Sequence, residues 1–227
     1  MCEDIVRRKI TTMRCLIALF ISLLVSAAHA CETALILTFD VSNSVDPAEY
    51  LVQSHGLADA LLDPDVIEAM VQGSVAIMVV QWSGADRQEI SIPWTRVRTA
   101  LDVERLSQAA RLMPRAIVLS DTAPAEAIYF SLDQFDAVSD CQNHVIDVSG
   151  DGTANAGRDV RTARLAAERA GVTINGIAIE SMGLVITGYY RRAVITRNGF
   201  VITARTHREY PDAIRRKIIR ELSQALG

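Results

Sequence analysis

Apolar residues recur along this chain in two alternating rhythms. Runs rich in apolar residues at 34–39, 75–82, 143–149 and 172–179 read as strands, the run at 75–82 being the most continuous. Between them, apolar positions fall three and four apart, which is the helical period. The first helix opens at Asp46-Pro47-Ala48-Glu49, with Asp at the N-cap, Pro at the first helical position and Glu two further on. It extends to about Leu62, with Tyr50, Leu51, Leu57, Ala58 and Leu61 on its buried side. Asp63-Pro64 breaks it, and a short helical stretch follows at 66–70. Further helices are expected at 103–112, 124–135 and 159–170, and a closing helix at 209–226 carries Ile214, Ile218 and Leu222 on one stripe. Residues 88–92 alternate in polarity and read as an edge strand, joined to its predecessor by the turn Ser83-Gly84-Ala85-Asp86. Residues 200–204 form the last strand. From 180 to 192 two patterns compete, a strand over 184–187 and a helical turn over 189–192.

Strands alternating with helices imply an α/β fold. The expectation is a single doubly wound, Rossmann-like domain over 31–227, with a mostly parallel sheet, one antiparallel edge strand and helices on both faces. In such sheets ligands sit at the carboxyl ends of the strands, where the strand order reverses. Asp40 ends the first strand and Asp151 follows the 143–149 strand, so parallel neighbours would bring both carboxylates to one crevice.

The N-terminus is not part of that pattern. Met13-Arg14 precedes an apolar run over 15–28 that ends in Ala28-His29-Ala30, a charged start, an apolar stretch and a small-residue cleavage site. Residues 1–30 therefore read as a secretory signal peptide, with Met13 as an alternative start. The run falls short of the roughly 20 residues that span a bilayer. Cys31 follows the cleavage point, but Ala28 stands where lipoprotein signals usually carry Leu, so export to the periplasm or medium is preferred to lipidation.

Half of the 227 residues are apolar and the formal charge is −4, which supports an aliphatic core and gives no nucleic-acid surface. Removing residues 1–30 takes four cations and two anions, leaving a mildly acidic chain. It also takes Cys2 and Cys15, so Cys31 and Cys141 remain as an even pair in an oxidising compartment. Both precede their strands by similar distances and would meet at the end opposite Asp40 and Asp151. An intramolecular disulfide is expected there, since neighbouring strands about 4.8 Å apart bring Cα atoms within bridging range.

The chemistry-bearing motif is Asp40-Val41-Ser42-Asn43-Ser44, a D-x-S-x-S run directly after the first strand. Alone it is weak, because Asp and Ser are common in turns. With Ser120-Asp121-Thr122 before a middle helix and Asp151-Gly152 after a later strand, the chain resembles the von Willebrand factor type A (VWA) family. Segments such as Val80-Gln81-Trp82-Ser83-Gly84 and Ile92-Pro93-Trp94-Thr95 are similar to those of exported bacterial members without an assigned function. The resemblance implies a metal-ion-dependent adhesion site, with Asp40, Ser42, Ser44, Thr122 and Asp151 holding a divalent cation directly or through water. All-oxygen donors with retained waters suit Mg²⁺, with Mn²⁺ and Ca²⁺ as substitutes. The implied partner is a protein that offers Asp or Glu to complete the shell. Asp121 departs from the family's usual Gly-Ser-Thr loop and adds a carboxylate beside Thr122.

Two other functions fit the same fold class. A Mg²⁺-dependent hydrolase or phosphatase would need a D-x-D motif or a strand-end lysine, but position 42 is Ser and the only lysine after residue 30 is Lys217 in the closing helix. A structural module with a vestigial metal site is the third reading. Of the remaining histidines, His55, His144 and His207, none is expected near Asp40. Arg215, Arg216, Lys217 and Arg220 read as a solvated helix face, and Trp82 and Trp94 as packing across the edge hairpin.

Overall fold

The computed structural model describes residues 31–118, 120–180 and 183–225. The expected signal peptide at 1–30 lies outside them. The elements are β1 (Thr33–Asp40), α1 (Pro47–Leu61), α2 (Pro64–Gln72), β2 (Ala76–Trp82), β3 (Gln88–Arg96), α3 (Ala100–Arg111), α4 (Pro124–Leu132), β4 (Asn143–Gly150), α5 (Val160–Arg169), β5 (Thr173–Ile179), α6 (Val185–Tyr189), β6 (Val201–Ala204) and α7 (Tyr210–Ala225). One sheet takes the order β3-β2-β1-β4-β5-β6. Among the described residues only the β2–β3 pair is antiparallel. The chain runs outward from β1 to β2 and later returns to β1's other side as β4, so the order reverses between β1 and β4.

The strict period of two in β1 separates two cores. Leu35, Leu37 and Phe39 enter the layer with α1, α2, α3 and α7, while Ala34 and Ile36 enter the layer with α4 and α5. Every residue of β1 is buried, which is why the strand reads as one apolar run. Helix α1 starts as expected. Asp46 accepts a hydrogen bond from the Glu49 amide, and Glu49 accepts one from the Asp46 amide, each at 2.8 Å. Cys31 and Cys141 form a disulfide with Cα atoms 4.4 Å apart. Thr33 pairs with Asn143, and the same offset carried back two residues sets Cys31 opposite Cys141. Carried forward, it puts Asp40 opposite Gly150, one residue before Asp151.

Several local expectations are corrected. Leu51 is 50% exposed and not on the buried face of α1. The edge strand continues through Pro93 to Arg96, which an outer strand tolerates. Trp94 packs on Phe135 and donates to the Gln134 carbonyl at 3.0 Å. Residues 184–187 are not a strand: Val185–Tyr189 is helical and continues into a π-helical turn, Tyr190–Val194. The Glu180 carboxylate overrides the β-branched propensity of that segment by accepting from the amides of Ile186 (3.2 Å) and Thr187 (2.6 Å). Lys217 is not on a solvated face. It is fully buried between β4 and α7, with Nζ 2.9 Å from Asp147 Oδ2 and paired to Glu221 Oε1.

Candidate metal centre

Five oxygen-bearing side chains from three loops meet above the β1–β4 boundary. Thr122 Oγ1 donates to Ser42 Oγ at 3.0 Å. Ser42 Oγ and Ser44 Oγ are 3.1 Å apart, and Ser44 Oγ donates to Asp151 Oδ1 at 2.6 Å. Asp40 lies beneath them and accepts from the Ser42 amide through Oδ1 at 2.8 Å. Asp40, Ser42, Ser44, Thr122 and Asp151 are thus brought together.

Backbone contacts hold the three loops in place. The Asn43 amide donates to the Ser120 carbonyl at 3.0 Å, and Arg115 Nη2 donates to the carbonyls of Val41 (2.8 Å) and Ser42 (3.1 Å). The Thr122 amide donates to Asn155 Oδ1 at 2.8 Å, while the Asn155 amide donates back to the Thr122 carbonyl at 3.0 Å. Asn155 and Arg115 are positioning residues that sequence reading missed, because both act through long-range contacts. Asp121 is exposed, unlike Thr122, so its extra carboxylate faces solvent.

An Asp-Ser turn explains only half of Asp40. Its Oδ1 has the turn's hydrogen bond, but Oδ2 is buried without a partner. Burial raises the Asp40 carboxyl to about 7, against hydrogen bonds from Ser42 that pull it down. Burial also raises Asp151. A cation would relieve both effects. The spacings fit one: donors in adjacent positions around an ion at about 2.1 Å lie about 3 Å apart, and the Thr122–Ser42 and Ser42–Ser44 separations are 3.0 and 3.1 Å. Gly150 leaves the floor open, since a Cβ there would sit 3.0 Å from Asp40 Oδ2 and 2.7 Å from the Tyr190 hydroxyl. That hydroxyl, delivered by the π-helical turn, is also buried without a partner.

Histidine 207 corrects a second expectation. It lies beside the site, with Nδ1 3.0 Å from Glu49 Oε1 and Nε2 3.9 Å from Asp151 Oδ2. Ser44, Glu49, Asp151 and His207 line a cleft of about 640 Å³. The signal was available: His207 follows the end of β6 by three residues, on the side of the sheet where strand ends face the crevice.

A family model described as "Protein of unknown function (DUF1194)" matches residues 30–226. No curated protein matches the chain in sequence. Among solved structures, the proximal thread matrix protein 1 from the mussel byssus superposes with a TM-score of 0.64 at 18% identity, covering 86% of this chain and 48% of that one. The same mussel protein is also known with a zinc-occupied metal-ion-dependent adhesion site motif. A von Willebrand factor type A protein from Catenulispora acidiphila gives a TM-score of 0.59 at 12% identity over 87% of this chain and 43% of that one. The corresponding domain of the pilus tip protein Mfa5 from Porphyromonas gingivalis gives 0.61 at 9% identity, covering 87% of this chain and 97% of that one. This chain therefore spans about half the length of the mussel and Catenulispora proteins. The fold is that of a VWA domain.

Proposed function

The chain belongs to the DUF1194 family, and from that membership and the site's geometry we propose that it is an exported protein-binding module that works through a divalent cation. Ser42, Ser44 and Thr122 would hold the ion, with Asp40 and Asp151 acting from below and beside it, largely through water. The observation that carries the reading is the run of four oxygens from Thr122 to Asp151 above the buried, unpartnered Asp40 Oδ2. Neutral hydroxyls dominate the direct donors, so the ion keeps much of its charge for an incoming carboxylate. Mg²⁺ is the ion we assign, on the all-oxygen donor set. The partner is a protein that presents Asp or Glu.

A binding role is preferred to catalysis for a physical reason. Phosphoryl transfer on folds of this kind uses a strand-end lysine, whereas Lys217, the only lysine among the described residues, is enclosed with Asp147 and Glu221. Export is supported by the Cys31–Cys141 disulfide and the leader-like segment at 1–30. Among the described residues, no helix is long and apolar enough to cross a membrane.

Thermal melting tests the site. At a Mg²⁺ or Mn²⁺ concentration 100-fold above Kd, binding stabilises the folded state by about 2.7 kcal/mol, which raises Tm by roughly 5–10 °C for a domain of this size. The Ser42→Ala/Ser44→Ala variant should lose that rise. Identical metal responses in the two proteins would end the reading. Capture of a partner that survives EDTA unchanged would remove the metal from recognition.

A further inference from the structure

Asp151 has two oxygens, and they face different surroundings. Oδ1 accepts from Ser44 and belongs to the oxygen cluster. Oδ2 is turned the other way, toward His207 Nε2 at 3.9 Å. That nitrogen is buried and has no hydrogen-bond partner. Its tautomer is set from behind: Nδ1 lies 3.0 Å from Glu49 Oε1, so in the neutral ring Nδ1 carries the proton and Nε2 presents its lone pair to the carboxylate. Glu49 is anchored independently, because its other oxygen accepts from the Asp46 amide in the α1 capping box. A lone pair without a hydrogen-bond partner and a carboxylate oxygen thus face each other across 3.9 Å.

The geometry points to a second cation position on the outer side of Asp151, formed by His207 Nε2 and Asp151 Oδ2, that takes a borderline transition metal such as Zn²⁺ and is distinct from the all-oxygen position. One ligand atom from each of Glu49, Asp151 and His207 lies within 4.8 Å of the others. Two donors of one ion at about 2.1 Å lie about 3 to 4 Å apart, depending on the angle between them, and the 3.9 Å gap falls in that range. The ring nitrogen sets the preference, since imidazole suits Zn²⁺, Cu²⁺ and Ni²⁺ whereas Mg²⁺ takes oxygen. Glu49 is a positioning residue, the carboxylate behind a metal-facing histidine that fixes ring and tautomer. Asp151 and His207 both line the cleft of about 640 Å³, from which water would complete the shell.

The test is metal binding by calorimetry on the purified protein without a histidine tag, with Zn²⁺ and Mg²⁺ as separate titrants. Wild type should bind one more equivalent of Zn²⁺ than of Mg²⁺. His207→Gln should lose that equivalent, keep its Tm without metal and leave Mg²⁺ binding as it was. Glu49→Gln should weaken the same equivalent by about 10- to 100-fold. Ser42→Ala/Ser44→Ala should retain it, which separates this site from the adhesion-type reading. Co²⁺ gives an independent readout, a visible band of the nitrogen-ligated ion that His207→Gln abolishes. The proposal is overturned if His207→Gln leaves Zn²⁺ stoichiometry unchanged. It is equally overturned if the variant weakens Mg²⁺ and Zn²⁺ alike, because His207 would then serve only the oxygen site.

Discussion

Replacing Lys217 with methionine should lower the unfolding free energy by about 3–5 kcal/mol, the usual cost of removing one member of a buried ion pair. The lysine is fully buried and lies between two carboxylates that are themselves enclosed, Asp147 on β4 and Glu221 one turn along α7. Asn175 Nδ2 supplies a further hydrogen bond to Glu221 Oε1 at 2.9 Å. Without the ammonium, two acids face each other between β4 and α7 with no cation. Urea denaturation measures the loss, and a change under about 1 kcal/mol, the range of exposed pairs, would show that the pair is solvated in solution.

The same cluster makes stability depend on pH. Burial raises the Asp147 carboxyl to about 7, with Lys217 pulling it down and Glu221 pushing it up. In the unfolded chain it ionises near 3.8. Between those values the folded state holds a proton that the unfolded state has released. This group's contribution is therefore complete below about pH 4 and is lost as pH rises toward 7, at about 1.4 kcal/mol for each pH unit crossed. Asp147→Asn cannot titrate and should flatten that fall. Denaturation of both proteins at pH 5 and pH 8 compares them, and equal pH slopes would contradict the assignment.

That cluster also shows where sequence reading reached its limit. The closing helix was legible as an amphipathic stripe through Ile214, Ile218 and Leu222, yet Lys217 and Glu221 border the same stripe, three residues after Ile214 and Ile218 respectively, and both are buried. Charge argues for exposure of Lys217, although the periodicity places it inward. Asp147 carried the matching signal, an acid in the middle of an otherwise buried apolar strand. The strands, the capping box of α1 and the approach of Asp40 to Asp151 were legible because each is fixed by local pattern plus one rule about strand ends, whereas Thr122 joined Ser42 and Ser44 only through the family resemblance. Helix α6 was not, since a distant carboxylate, Glu180, decides it against local propensity. His207 was legible only as far as the end of β6, which brings it to the crevice, whereas its pairing with Glu49 of α1 and Asp151 after β4 is set by the tertiary fold and by no spacing along the chain.

Removing the disulfide should separate stability from metal binding. Cys31 and Cys141 are 110 residues apart. Closing a loop of about 100 residues lowers unfolded-chain entropy by the equivalent of about 4.7 kcal/mol in the chain-entropy model, and measured losses run about 2–5 kcal/mol. Cys31→Ala/Cys141→Ala should therefore lower Tm by roughly 4–20 °C at about 2–4 °C per kcal/mol. The β1–β4 register has support besides the bond. The β1–β4 ladder pairs Thr33 through Phe39 with Asn143 through Ser149, and backbone hydrogen bonds continue it to Cys31, whose carbonyl accepts from Gln142 at 3.0 Å. Asp40 stands at the far end of that ladder, a full strand from the cysteines. The rise in Tm on adding Mg²⁺ should consequently match wild type from a lower starting point. Loss of the metal response together with stability would mean that the bond, and not the ladder, sets the register that brings Asp40 and Asp151 to one crevice.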